Sequence, residues 1–125
     1  MRGAQAYAAV VQDTTPPHRL VETVLERAMA HVATAEDAIA RHQPWPAHES
    51  LMRAQVAVGS LRGALRRDAA PELVDQLDAL YAFVLDRLVW ANLHKDASEL
   101  PDLRRVLDVL REAFAEAARK EALRA

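Results

Sequence analysis

The chain has no cysteine, only three glycines in 125 residues, and an aromatic fraction of 5%. Without thiols there is neither disulfide nor thiolate chemistry, and a reducing compartment is compatible. No stretch alternates apolar and polar residues, and none is rich in Val, Ile and Thr, so a β-sheet architecture is excluded. Charge of one sign is also missing. Sixteen basic and 18 acidic residues leave a net charge of −2, without the basic bias of a nucleic-acid binder. The densest basic cluster, Arg62 to Arg67, is short, lacks interleaved aromatics and reads as a solvated helix end. No run approaches the ~20 apolar residues of a membrane span. The N-terminal MRGAQAYAAVVQD lacks a secretory core. A soluble, cytoplasmic protein is the expectation.

Chemistry-bearing motifs are equally scarce. There is no Glu-x-x-His pair for a di-iron bundle, no His-Glu-x-x-His zinc motif and no glycine loop that could cradle phosphate. His42 and His48 flank a proline-rich break, but two histidines lack the further ligands a metal needs. Ser50, Ser60 and Ser98 sit in no nucleophile setting. Neither an enzyme nor a cofactor or metal site is expected.

What remains is apolar and helical. Hydrophobic residues make up 51% of the chain, enough for one core in one domain spanning 1–125. Residues 1–13 form a short arm or helical turn. Thr15 and Pro16 can open a first long helix running to about Arg41, with Val21, Leu25, Ala28, Val32, Ala35 and Ile39 on one face. Pro44-Trp45-Pro46 breaks the chain, with Trp45 expected to pin this loop onto the bundle end. A second helix is predicted from about His48 to Arg67, with its stripe at Leu51, Ala54, Val58, Leu61 and Leu65. Pro71 starts the third, and Asp96-Ala97-Ser98 ends it. Ser98 and Pro101 open a fourth, with its stripe at Leu103, Val106, Leu107, Leu110, Phe114 and Ala117. Four helices on short links predict an all-α, antiparallel up-down four-helix bundle with an N-terminal arm.

The third helix carries more apolar surface than one neighbour can cover. Leu73, Leu77, Val84, Leu88 and Ala91 make an ordinary core stripe. Val74, Tyr81, Leu85 and Val89 widen the arc to roughly 180°, against the little over 100° of a typical surface helix. Phe83 and Trp90 form a separate patch, suited to self-association or to ordinary surface exposure. On the second helix Gly59 and Gly63 lie on the same side as Met52 and Val56. A mid-helix glycine costs about 0.5–1 kcal/mol relative to Ala, so either tight packing within the bundle or a groove for a partner helix is implied.

The spelling Leu80-Tyr81, Arg87-Leu88, Ala91-Asn92 and Asp96 resembles the third long helix of the flagellar secretion chaperones of the FliS family. Ala6-Tyr7, Thr14 with Pro17-His18-Arg19-Leu20-Val21, and Val109-Leu110 to Ala117 resemble other segments of that family, in order along nearly the whole chain. Three positions depart from its pattern: Val24-Leu25-Glu26-Arg27-Ala28 stands for Leu-(Tyr/Phe)-Asp-Gly-Ala, Phe114 for Trp, and Pro16 for Ser. The resemblance implies a helical bundle that binds the C-terminal amphipathic segment of flagellin, keeps it from polymerising in the cytoplasm and delivers it for type III export. It also brings an anti-sigma factor and an export-gate component into view as further partners. Tyr7 and Val10 would form an N-terminal lid. The partner surface is expected at Leu20 and Val24, at Met52 and Val56, and at Tyr81, Leu85, Val89 and Asn92. Asn92 also suits a buried role before the last turn, Tyr81 a core position with its hydroxyl at the rim, and Asp96 a cap. The alternative is a regulatory or structural module, such as a homodimer through Phe83 and Trp90.

Overall fold

The computed structural model describes residues 18–66, 68 and 70–124, with only the backbone of Glu121. All regular structure among these residues is helical: α1 (His18–Ala40), α2 (Pro44–Gly63), α3 (Pro71–His94) and α4 (Leu100–Arg124). The expected helical bundle is present. α2 starts four residues earlier than predicted, because Pro44 and Pro46 lie in its first turn rather than outside it. N–H groups there have no carbonyl in a preceding turn, so proline loses nothing, and its fixed φ favours the helix. α2 also ends at Gly63, short of Arg67, with Ala64 N–H returning to Ser60 O at 3.2 Å.

α1 and α3 both stop in left-handed backbone. His42 (φ 56°) follows α1, and Lys95 (φ 49°) caps α3. Gln43 N–H then reaches back to Ala38 O (2.9 Å) and Asp96 N–H to Ala91 O (3.1 Å), satisfying carbonyls that a helix end leaves unpaired. Asp96 adds the expected cap, accepting the Ser98 N–H at 2.8 Å. That bond holds its carboxyl below the usual range.

Polar pairs fix the orientations. At one end of the α2–α3 pair Arg62 grips Asp78 (2.7 Å); at the other His48 meets Asn92 (3.0 Å). Between α1 and α4, Arg104 near the start of α4 pairs with Glu36 near the end of α1. Both pairs of helices are therefore antiparallel. α1 packs against α2 and α4, and α2 against α3, while α3 and α4 make the slightest of the contacts between helices. Tyr81 and Phe114, the two largest fully buried side chains, belong to these last two helices. Counted from the α3–α4 link, both stand about 20 Å along their helix. Val21, Leu25 and Val32 of α1, Leu51 and Val58 of α2, Val84 and Leu88 of α3, and Leu107 of α4 complete the centre of the core.

Candidate functional site

The proposed partner residues divide into two groups. Tyr81 is 0% exposed and belongs to the central core. Of the two readings its sequence position allows, core or partner surface, the fold places it in the core, so its assignment to the partner surface is corrected. Its burial pushes the phenol well above its usual range, so it remains neutral. Asn92 is likewise buried. Its Nδ2 donates to His48 Nδ1 (3.0 Å), and its Oδ1 accepts from Lys95 Nζ (2.9 Å). That side chain ties α3 to α2, and its assignment to a partner surface is corrected too. Tyr7 and Val10 lie outside the described residues.

The remaining six lie at or near the surface of three consecutive helices. Leu20, Met52, Val56 and Val89 are exposed, and Val24 and Leu85 are half-buried. Leu85 and Val89 fall on the flank of α3 that also carries Asp78 and Asn92, both bonded to α2. Along the antiparallel α2–α3 pair they stand level with Met52 and Val56. On α2, the flank with Arg53, Ala57 and Ser60 turns toward α1, and the flank with His48 and Arg62 turns toward α3. At about 100° per residue, Met52, Val56, Gly59 and Gly63 run along the outward ridge between those flanks.

The two glycines are not packed against a neighbouring helix among the described residues. A Cβ built on either would meet nothing within 4 Å. Among the described residues no neighbouring backbone requires them, and they leave a notch on the outward ridge. The notch stands level with Leu20 and Val24 of α1.

Next to this ridge, between α1 and α2, is a surface cleft of about 400 Å³. Val24, Met52, Val56 and Ala57 give it an apolar wall, and Arg27, His31, Arg53 and Ser60 a polar rim. The Ser60 hydroxyl is turned back onto Ala57 O (2.7 Å). His31 is held below its ordinary pKa, chiefly by burial and then by Arg53 and Arg27. Arg27, His31 and Arg53 are not part of the site expected from the sequence. Arg27 and His31 share a helix face with Val24, but charged residues beside a core stripe ordinarily read as a solvated flank.

The α3 face on the other side behaves differently. Phe83 is 52% exposed, but Trp90 is half-buried, stacked on His94 at 4.5 Å and covered by the Arg87 guanidinium at 4.9 Å. Arg87 is anchored to Glu99 (2.7 Å), which depresses the Glu99 carboxyl. Trp45 does not pin a loop; it is 66% exposed and leans on His48 of its own helix. Among the described residues no group of three or more His, Asp or Glu is placed to hold a metal ion. No described helix is long and apolar enough to cross a membrane.

The family model described as flagellar protein FliS matches residues 1–121. A flagellar secretion chaperone FliSB of Pseudomonas aeruginosa is 33% identical over 99 residues, covering 79% of this chain and 78% of that protein. The flagellar secretion chaperones FliS of Vibrio cholerae and Salmonella typhimurium are 28% and 26% identical, each over 90% of this chain, covering 84% and 87% of those proteins. With a matching family model over nearly its full length and a fold of four packed helices, the chain belongs to the FliS family of flagellar secretion chaperones.

Proposed function

We propose that this protein is a cytoplasmic export chaperone for flagellin. It would bind the C-terminal amphipathic segment along the face of α1, α2 and α3 that carries Leu20, Val24, Met52, Val56, Leu85 and Val89. The observation that carries this reading is the outward ridge of α2, where Val56 stands 69% and Met52 41% exposed beside two glycines with open space above them. A helix that needs neither glycine for its own packing gains nothing from them in isolation. A second helix laid across that ridge would gain close approach and an apolar contact. This is the helix-in-groove mode of recognition.

The physical task is simple. An amphipathic segment that builds a filament core self-associates when its apolar face is bare. A folded bundle that offers an equivalent apolar face keeps it monomeric until export through the type III pathway. No nucleotide or metal is needed for that exchange.

Titration calorimetry with a peptide from the C-terminal segment of the cognate flagellin tests the reading. Micromolar or tighter binding near one to one, with a negative heat-capacity change, is the expected result. An absence of heat and of any thermal shift at micromolar peptide would overturn it. An anti-sigma factor or an export-gate component that uses the same face would compete in that titration. The exposed Phe83 favours a second reading, a homodimer through α3; a mass independent of concentration would dismiss it.

A further inference from the structure

We propose that the cleft between α1 and α2 selects its cargo by charge. It takes an apolar side chain of the bound segment between Val24, Met52 and Val56, and an Asp or Glu side chain one helical turn away onto Arg27 and Arg53. This inference rests on the chaperone reading above and specifies which amphipathic segments fit.

The argument begins with an imbalance. Arg62, Arg87 and Arg104 each close a bridge onto a carboxylate of another segment. Arg27 and Arg53 have no ion pair among the described residues, although the fold brings them together from different helices with His31 beside them. Among the described residues no acidic side chain lines the cleft. Gathering like charges without a counterion opposes folding, and the protein as a whole is slightly acidic, so its other charges do not demand a cationic patch. The cluster also borders apolar surface, where a guanidinium–carboxylate contact is less screened than in open water. Arg27 stands where the family pattern quoted above has glycine. The partner chemistry that answers the whole cleft is an apolar anchor next to a side-chain carboxylate. The adjoining glycine notch gives the segment room to continue along α2.

The test uses two versions of the flagellin C-terminal peptide, both amidated at the chain end to remove the terminal carboxylate. One keeps its Asp and Glu residues; the other has each changed to Asn or Gln. The intact protein should prefer the acidic peptide by about tenfold or more. That preference should shrink as salt is raised from about 0.05 to 0.5 M, and it should vanish in an R27A/R53A variant. Both arginines are exposed, so the variant should melt like the parent, which circular dichroism checks. An R27E/R53E variant should instead favour a peptide with its acids changed to Lys. If the parent binds both peptides equally, the charge selection is wrong and the chaperone reading stands. If it binds neither, the chaperone reading falls and takes this inference with it.

Discussion

Asn92, near the end of α3, donates to His48 Nδ1 on α2 at 3.0 Å, and Lys95 Nζ closes on the Asn92 side-chain oxygen at 2.9 Å. The pair joins two helices through a buried amide, next to the residue that turns the chain out of α3 in left-handed backbone. An amide there fits both neighbours because it donates and accepts at once.

Asn92→Ala should therefore act on stability. Removing both contacts leaves polar groups short of partners, at a cost of about 1–3 kcal/mol. Denaturant unfolding should show a lower midpoint at unchanged slope. Peptide affinity measured well below the melting temperature should change little. A large affinity loss with full stability would instead return Asn92 to the partner surface.

Gly59→Ala separates folding from binding by the sign of its effects. The new methyl meets nothing within 4 Å, so the free protein should gain about 0.5–1 kcal/mol from helix propensity. The same methyl occupies the notch, so cargo affinity should fall. Gly59→Leu should lower affinity further. If either variant binds as tightly as the parent, the cargo helix does not cross α2 at this point.

Tyr81 and Val56 make an opposed pair. Tyr81→Ala should cost about 3–5 kcal/mol, as expected for emptying a large buried site. Val56→Glu should leave the melting curve within about 0.5 kcal/mol of the parent and abolish peptide binding. Thermal melts and calorimetry on the two variants give four numbers; the prediction fails if Val56→Glu unfolds the domain.

Stability should depend on pH in two steps. Burial, Arg53 and Arg27 lower the His31 pKa. The unfolded chain therefore takes up the proton more readily, and stability falls as pH drops below about 6.5. Asp68, Asp96 and Glu99 are held low by Arg66, the Ser98 N–H and Arg87 respectively. Their contribution is full above about pH 5 and is lost as pH falls through their folded values. His31→Gln should erase the upper step only. Melting temperature across pH 3 to 8 reads both, and a persistent upper step in His31→Gln would place its origin elsewhere.

A docked carboxylate beside His31 should have the opposite electrostatic effect to Arg27 and Arg53. Binding of an acidic peptide near pH 6.5 should then take up protons. Calorimetry in buffers of different ionisation enthalpy measures this directly, and equal apparent heats in all buffers would contradict it.

Local periodicity was sufficient to read the helices and most of their core stripes. Val21, Leu25, Ala28 and Val32, or Leu103, Leu107, Leu110 and Phe114, recur every three or four residues, and one face of a helix must be dry whatever it packs against. The family pattern in α3 was equally readable in order and spacing. Two things were not. The first was where the apolar arc of α3 passes from core to surface. Tyr81 and Val89 stand roughly 80° apart on one helix, yet one is buried and the other exposed, because the packing of the other helices around α3 sets that edge. The second was the cleft rim. Arg27 and Arg53 lie on different helices and look like separate solvated charges in the sequence. Only antiparallel packing of α1 on α2 brings them around one apolar pocket, because charge clustering across helices depends on the level at which two helices meet.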